Sequence, residues 1–326
     1  MRAEALSTPN KSPILSLAYS SRLKMLAIGQ MGNSVKIPSL SLWRSSNRKV
    51  ASATDTDAYG NIWAICFDFR DKYLIFSNNS KLFCLDIESK QKRELKIDNG
   101  QIRTLISSKT SPRVIVSGKH VEVLDIDTGK SIWKSKGYEA GTLTKDLQIQ
   151  GLPPEWTRVG DKLSFVNEPA TIAMFSNGEA MLIGGHNKGN IEQVEVGTDR
   201  VVKTISPAPL QAYMMSLGCN ETVLAVSSKI PYANFVWELD SGKRMAPEIF
   251  NERFGGYSSL CLHSTERLMA SGSLVGFVSV QDLDSGGFAF SERLHSGRVS
   301  QVLFTDKATI YSGGDDGEVR IVDVIG

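Results

Sequence analysis

The sequence predicts an all-β fold, a seven-bladed β-propeller of four-stranded antiparallel blades. Short runs rich in Val, Ile, Leu and aromatic residues alternate with Gly, Asn, Asp and Ser turns, and no apolar stripe of helical period extends over three turns. An apolar triplet with the spacing i, i+3, i+5 opens seven repeats, which start near residues 14, 62, 102, 170, 212, 257 and 299. All but one of the intervals between these starts fit the roughly 40 to 50 residues of a propeller blade.

Each repeat contains the same order of strands. The triplet strand is followed by a turn, a second strand such as RVIVSG or LMASGS, and a third strand that ends near an acidic residue, such as VEVLD or VRIVD. A turn such as IDTGK then leads into a fourth, outer strand. The long interval between 102 and 170 is interpreted as one blade plus an insertion at residues 137–168. The sequence therefore predicts one propeller domain over residues 1–326.

The two ends of the chain are predicted to meet in the last blade. The seventh repeat reaches its third strand, VRIVD, just before Gly326 and so lacks a fourth strand of its own. An unpaired strand edge invites wrong pairing, and propellers have to protect it. Residues 2–8, RAEALST, precede the first repeat and are predicted to supply the missing outer strand.

The last two repeats resemble those of the WD-repeat family. LHSGRVSQVLF followed by TIYSGGDDGEVRIVDV is similar to the family signature, and LMASGSLVGFVSVQDLDSG follows it closely. The resemblance covers essentially the whole chain and implies that His295, Ser312 and Asp316 pin the last blade through hydrogen bonds. The family's tryptophan position holds Val322 there, and Trp43 and Trp237 in the first and fifth repeats, so the repeats are divergent.

The resemblance also assigns the connecting segments to two faces. Links between strands 1 and 2 and between strands 3 and 4 belong to one face, and these are short and polar, as in FRDK and DTGK. The other face receives the long segments, at residues 29–38, 55–61, 227–235, 251–257 and the insertion 137–168. Long loops in a compact fold are usually functional or disordered. This asymmetry predicts a non-catalytic scaffold that binds protein or peptide partners on the second face.

The candidate partner-binding residues are the aromatic and arginine side chains of the second face, because such side chains dominate interface energetics. They are Tyr138, Trp156, Arg158, Tyr232, Arg253, Phe254, Tyr257, Trp63 and Arg103. The last two occupy equivalent blade-entry positions, which lie near the channel mouth in this family. A purely structural interpretation stays open for each of them: Trp156 would then pin the insertion onto the blades, and Trp63 would pack within the fold.

Two other function classes stay open. A propeller hydrolase or lyase would gather acidic and basic groups at the channel mouth, whereas the entry positions are mostly Ile, Ala, Ser, Gln and Tyr. The sequence contains no GxSxG, GxxxxGK[ST] or HExxH motif, and its four histidines fall in different repeats, so we expect no enzyme activity, no metal and no cofactor. A regulatory or ligand-sensing propeller of a larger signalling assembly is the other alternative, which the abrupt end at Gly326 favours.

Composition and charge give no sign of a nucleic-acid or membrane partner. Lys and Arg number 37 and Asp and Glu 35, for a net charge of +2, so no strong positive field is expected. Two basic stretches are interpreted as solvated surface, Arg44, Arg48 and Lys49, and Lys90, Lys92 and Arg93.

The cysteines and the N-terminus predict an intracellular protein. Cys66, Cys84, Cys219 and Cys261 lie in apolar runs without a CxxC pair, as expected of buried thiols in a reducing compartment. The N-terminal MRAEALSTPNKS lacks the apolar segment of a signal peptide, and no apolar run is long enough to span a bilayer. We expect a cytoplasmic protein that is monomeric on its own, with the nucleus as an alternative location.

Overall fold

The computed structural model describes residues 3–8, 11–32, 38–46, 49–51, 58–135, 171–174, 180–184, 191–198, 200–205, 212–229, 232–250, 256–305 and 307–324. These residues form 28 β-strands in seven four-stranded antiparallel sheets, and none of them is helical. The prediction of a seven-bladed β-propeller is confirmed, and the arrangement is consistent with a WD-repeat-like fold.

The strands are numbered in chain order and grouped by blade. The N-terminal strand is β1 (Ala3–Ser7). Blade 1 contains β2 (Ile14–Ser20), β3 (Met25–Gln30), β4 (Leu40–Ser46) and β5 (Lys49–Ala51), and blade 2 contains β6 (Ile62–Phe67), β7 (Tyr73–Asn78), β8 (Lys81–Asp86) and β9 (Lys92–Leu95). Blade 3 contains β10 (Thr104–Ser107), β11 (Arg113–Ser117), β12 (Val121–Asp125) and β13 (Ser131–Lys134), and blade 4 contains β14 (Thr171–Met174), β15 (Ala180–Gly184), β16 (Ile191–Glu195) and β17 (Val201–Ile205).

Blade 5 contains β18 (Ala212–Gly218), β19 (Val223–Lys229), β20 (Tyr232–Glu238) and β21 (Arg244–Phe250), and blade 6 contains β22 (Tyr257–Leu262), β23 (Leu268–Ser273), β24 (Phe277–Asp282) and β25 (Phe288–Arg293). Blade 7 contains β26 (Val299–Phe304), β27 (Thr309–Gly314) and β28 (Glu318–Asp323), with β1 as its outer strand. The observed strands start at the predicted residues except in blades 3 and 4. In blade 3 the amide of Ile102 bonds to the carbonyl of Asn79 in blade 2, so the ladder of β10 begins at Thr104.

The ring closes through the N-terminal strand, as predicted. Strand β1 runs antiparallel to β28, with Ala3 opposite Val322 and Ser7 opposite Glu318. The buried Thr8 continues the closure, because its hydroxyl oxygen lies 2.7 Å from the carbonyl oxygen of Gly317 and 3.0 Å from Nε2 of Gln30 in blade 1. The two ends of the chain therefore tie blade 7 to blade 1.

The hydrophobic core is a ring of seven buried clusters, one between each pair of neighbouring blades. Strand β11 shows why the sequence builds this arrangement. Its apolar run is buried on both sides: Val114 and Val116 pack toward blade 2, and Ile115 packs toward blade 4. A strand that is covered on both faces needs continuous apolar residues rather than an alternating pattern, which is why these runs were visible in the sequence.

Hydrogen bonds between the innermost strands align the blades. Ser16 donates to the carbonyl of Ile62, Ser259 to that of Val299, and Ser300 to that of Ile14 across the ring closure. These bonds join equivalent parts of neighbouring first strands, so the blades share one orientation. The links between strands 1 and 2 and between strands 3 and 4 form one face, called the short-turn face. The links between strands 2 and 3 and between blades form the opposite face, called the loop face.

Candidate functional site

The first strand of five blades is bulged at its second residue, close to the loop face. The register of β2, β6, β18, β22 and β26 against the strand that follows it shifts at Leu15, Trp63, Tyr213, Ser258 and Ser300. A β-bulge re-aims the side chain of the extra residue and often occurs beside functional sites. Because the first strands line the central channel, the bulges surround its mouth on the loop face.

In blades 6 and 7 the bulged residues are serines whose hydroxyl groups join the blades. Ser258 Oγ lies 2.6 Å from the carbonyl oxygen of Val299 in blade 7. Ser300 Oγ bonds to the carbonyl oxygen of Ile14 in blade 1 and lies 3.0 Å from that of Gly313. These two positions stabilise the ring.

In blades 2 and 3 the mouth carries a stacked pair, Trp63 and Arg103. The guanidinium carbon of Arg103 lies 4.6 Å from the centroid of the Trp63 ring, within the range of a cation–π contact. Arg103 is exposed and donates a hydrogen bond of 2.7 Å to the side-chain oxygen of Gln101. Trp63 is half-buried, and its indole nitrogen has no hydrogen-bond acceptor among the described residues. Two predicted binding residues from neighbouring blades are thus brought together.

The chemistry of this pair is that of recognition. A stacked guanidinium presents donors that suit carboxylate and carbonyl oxygens, and the indole offers apolar area. Neither group is a nucleophile, and the guanidinium stays protonated in proteins. The pair can bind a partner but supplies no group for acid–base chemistry near neutral pH.

Blade 6 adds an apolar feature to the loop face that the sequence analysis missed. Leu274 and Val275 form the link between β23 and β24, and both side chains are exposed. The Ser273 hydroxyl oxygen accepts hydrogen bonds from the amides of Val275 and Phe277, which shapes the turn. The sequence signal that could have identified this feature is the apolar pair itself, because the last repeat has two aspartates, Asp315 and Asp316, at the equivalent positions.

The residues with the implied pinning role lie together in blade 7. His295 Nδ1 is 3.0 Å from a carboxylate oxygen of Asp316, and Nε2 is 2.9 Å from the hydroxyl oxygen of Ser312. A carboxylate only accepts, so Nδ1 carries the proton, and in the neutral ring Nε2 accepts from Ser312. This order of groups matches a Ser–His–Asp triad. However, Ser312 is fully buried and His295 nearly so, and no substrate carbonyl can reach the hydroxyl.

Two other buried histidines also make local contacts. Nδ1 of His263 accepts hydrogen bonds from the amides of Thr265 and Glu266, and its ring meets the edge of Phe304 at 5.2 Å. In blade 3, Nε2 of His120 lies 3.2 Å from a carboxylate oxygen of Glu122. Among the residues that the structure describes, no group of three or more His, Cys, Asp and Glu side chains is placed to hold a metal ion.

The prediction that Tyr257 belongs to an exposed patch is wrong. Tyr257 is only 4% exposed, because it opens β22 at the position that Ile14, Ile62 and Val299 occupy in their blades, all of them core residues. The sequence already indicated this burial, because Tyr257 is the first residue of the apolar triplet in its repeat. The backbone of Tyr232 pairs with Lys229 at the loop-face end of blade 5. Five other candidates lie outside the described residues: Tyr138, Trp156, Arg158, Arg253 and Phe254.

No protein-family model matches the chain, and no match is found among curated proteins. None of the described residues belongs to a helix with the length and apolar character of a bilayer span.

Proposed function

We propose that the chain is a non-catalytic scaffold that holds protein or peptide partners on its loop face. The observation that carries this proposal is the Trp63–Arg103 stack at the channel mouth. Tryptophan and arginine are the residue types most enriched among interface hot spots. Here they come from two different blades, so that a partner lying across the mouth contacts both.

The exposed Leu274–Val275 pair supports the same face. The two side chains are each about two-fifths exposed and lie next to each other at a turn where polar residues are usual. Apolar groups that are left in water at adjacent positions mark a candidate contact for a partner. The stack in blades 2 and 3 and this pair in blade 6 give a partner two separate contacts on one face.

The absence of catalysis is part of the proposal. The set of side chains that has the order of a serine nucleophile, a histidine base and a carboxylate is buried inside blade 7, where Ser312 has no access to solvent. The serines at the mouth in blades 6 and 7 bond to neighbouring carbonyls. The mouth is therefore equipped for binding.

A quantitative pull-down from a lysate of the source organism tests the proposal. The baits are the wild type, Arg103→Glu, and the double variant Leu274→Ser/Val275→Ser. Two controls make the same kinds of substitution at exposed residues away from the loop face. They are Arg200→Glu on the short-turn face and Val202→Ser on an outer strand.

We expect specific partners to be retained by the wild type and both controls and to be depleted about tenfold or more by either loop-face variant, as for a hot-spot loss of about 1.4 kcal/mol or more. Thermal unfolding of each variant checks that the fold is kept. If partners are retained equally by all five baits, the loop face is not the binding face.

A further inference from the structure

The short-turn face of blades 1 and 2 collects basic side chains that the net charge of the chain conceals. Six exposed cations project from these turns and from the strand ends beside them: Arg22, Lys24, Arg44, Lys72, Lys90 and Lys92. They are called the basic surface. The acids on the same turns are Asp68, Asp71, Asp86 and Glu88.

In two ion pairs of this region the cation is more exposed than the acid, whereas Arg70 and Asp127 of blade 3, at 2.6 Å, are exposed to similar extents, 35% and 42%. In the pair of Arg22 and Asp71, at 3.2 Å, the side chains are 64% and 17% exposed. In the pair of Lys72 and Asp86, at 3.9 Å, they are 53% and 18% exposed. Solvent therefore meets mainly positive charge. Blade 6 has the opposite arrangement, since Asp284 is 66% exposed and its partner Arg267 only 36%.

The acids are covered because they are part of the turns. Asp68, whose side chain is completely buried, accepts the amide of Tyr73 and pairs with Arg70 at 3.0 Å. A carboxylate oxygen of Asp86 accepts the amides of Glu88 and Ser89, which holds the pKa of Asp86 below its usual value. These bonds hold Asp68 and Asp86 against the backbone, so the cations that pair with them extend further into solvent than the carboxylates do.

The cations of the two blades lie close enough to influence each other. Arg22 reaches from blade 1 to Asp71 in blade 2. Burial and the neighbouring charge of Arg44 lower the pKa of Lys90, so two cations from adjacent blades share one region. Arg44 and Lys24 have no carboxylate within ion-pair distance in the described part of the chain.

The links that carry the basic surface are tight turns, and one of them has an exposed aromatic residue at its tip. Left-handed backbone at Lys24, Asp71 and Lys90, with φ of 49°, 52° and 61°, lets these links turn within a few residues. Phe69 stands at the tip of the link between β6 and β7 and is 36% exposed. The guanidinium carbon of Arg70 lies 5.0 Å from the Phe69 ring centroid.

We propose that the basic surface docks on an anionic lipid membrane, with Phe69 entering the headgroup region. Membrane surfaces rich in phosphatidylserine attract clustered Lys and Arg residues, each of which strengthens binding about fivefold. An aromatic side chain among cations adds the apolar contact of a peripheral protein. Non-specific single-strand binders instead track the backbone along a groove with aromatic rings on which successive bases stack. On the basic surface Lys72 and Lys92 cover the rings of Tyr73 and Phe83, at 4.8 and 5.7 Å from the ring centroids, and Phe69 is the exposed aromatic side chain. The basic surface faces away from the loop face, so membrane and partner can be bound together.

Vesicle sedimentation tests the proposal. The full chain is mixed with vesicles of phosphatidylcholine alone or of roughly three parts phosphatidylcholine to one part phosphatidylserine, at low and at near-physiological salt. The test variant is Lys24→Glu/Arg44→Glu/Lys90→Glu. The matched control, Arg200→Glu/Lys243→Glu/Lys307→Glu, makes the same change in net charge at exposed residues of blades 4, 5 and 7. A second variant, Phe69→Ser, removes only the apolar tip.

We expect the wild type to bind the anionic vesicles and not the neutral ones, with binding that weakens as salt rises. The test variant should lower the partition coefficient about tenfold or more, Phe69→Ser should lower it severalfold, and the control should change it little. Equal losses in test variant and control would show that net charge alone acts, and would overturn the proposal. So would the absence of wild-type binding at low salt, or binding to heparin or single-stranded RNA without binding to vesicles.

Discussion

Two neighbouring turns on the loop face have the same backbone hydrogen bonding but carry side chains of opposite polarity. Residues 274–276 link β23 to β24 in blade 6, and residues 315–317 link β27 to β28 in blade 7. The amide of Leu274 bonds to the carbonyl of Gly256 at 3.1 Å, and the amide of Asp315 bonds to the carbonyl of Arg298 at 2.9 Å. Each turn ends in a glycine with positive φ.

Both glycines are required by close contact with a neighbouring segment. Gly276 has a φ of 94°, and a Cβ atom there would lie 2.1 Å from the carbonyl oxygen of His295. Gly317 has a φ of 77°, and a Cβ atom there would lie 2.5 Å from the carbonyl carbon of Lys11. The chain that follows each blade thus fixes the backbone of the turn, and only the two residues before the glycine are free to differ.

The side chains differ in what they bind. In blade 7 the Asp316 carboxylate accepts from His295 and from the amides of Ser296 and Glu318, and Asp315 pairs with Arg298. In blade 6 the side chains of Leu274 and Val275 stand in solvent. The polar turn is therefore committed to the fold, whereas the apolar turn leaves two side chains in solvent, where the proposed partner would contact them. Four experiments test this contrast.

The largest effect is expected from removal of the strand that closes blade 7. Deletion of residues 1–10 removes β1 and Thr8, and leaves the edge of β28 unpaired. At about 1 kcal/mol for each lost hydrogen bond, the loss of stability is on the order of 5 kcal/mol, and the melting temperature falls by roughly 10 °C. Calorimetry and light scattering measure stability and association. Ala3→Ser/Ala5→Ser, which keeps the strand, is the control, and a truncated chain that melts like the full one contradicts the prediction.

The next largest effect on stability is expected at two serines that occupy equivalent positions in blades 6 and 7. Ser312 lies opposite Val302, and Ser271 lies opposite Leu260 in the same register. Ser312→Ala leaves Nε2 of the buried His295 without its partner and should cost about 1–3 kcal/mol. Ser271→Ala removes a hydroxyl that bonds to no histidine among the described residues and should cost below about 0.5 kcal/mol. Urea unfolding compares the two, and equal losses would show that the blades are pinned alike.

A smaller effect on stability, which depends on pH, is expected from the carboxylate of Asp316. Burial raises the pKa of Asp316, but the hydrogen bonds from His295 and two backbone amides outweigh burial and hold this pKa below its usual value. A carboxyl with a depressed folded-state pKa stabilises the fold above its unfolded value of about 3.9, and this contribution is lost as the pH falls through the folded-state value.

Asp316→Asn should therefore be about 1–2 kcal/mol less stable than the wild type at pH 7, and the difference should shrink below about pH 4. Urea midpoints measured from neutral to acid pH test this. Asp315→Asn, on the same turn but paired with Arg298 at the surface, is the control. A difference between wild type and Asp316→Asn that stays constant with pH would contradict the assigned bonds.

The fold was predictable because its strands are covered on both sides. The centres of strands such as β11, where Val114, Ile115 and Val116 follow one another, are continuously apolar. The triplet that includes Ile14 and Val299 repeats at blade length. The closure by β1 followed from counting strands in the last repeat. The candidate site was predicted only in part. The sequence places Trp63 and Arg103 at equivalent positions in neighbouring blades, and in the structure these two side chains stack.

The rest depends on contacts between residues that are distant in the sequence. Tyr257 was misassigned because its aromatic character outweighed its position in the triplet. The basic surface was missed because Arg44 and Lys90 lie in different repeats, and because the covered acids cancel the cations in a count of charges. Leu274 and Val275 continue an apolar strand in the sequence, and only the turn geometry shows that they face solvent.

The smallest effect on stability is expected at these last two residues. Leu274→Ser/Val275→Ser replaces exposed side chains at a turn whose backbone is held by Gly276 and Ser273, so the free energy of unfolding should change by less than about 0.5 kcal/mol. Partner retention on the loop face should fall in the same variant, whereas Ser312→Ala should reduce stability and leave retention unchanged at temperatures where it stays folded. Urea unfolding and the pull-down, applied to both variants, separate the two roles. If Leu274→Ser/Val275→Ser unfolds as readily as Ser312→Ala, the apolar turn is a structural element and the contrast between the two blades fails.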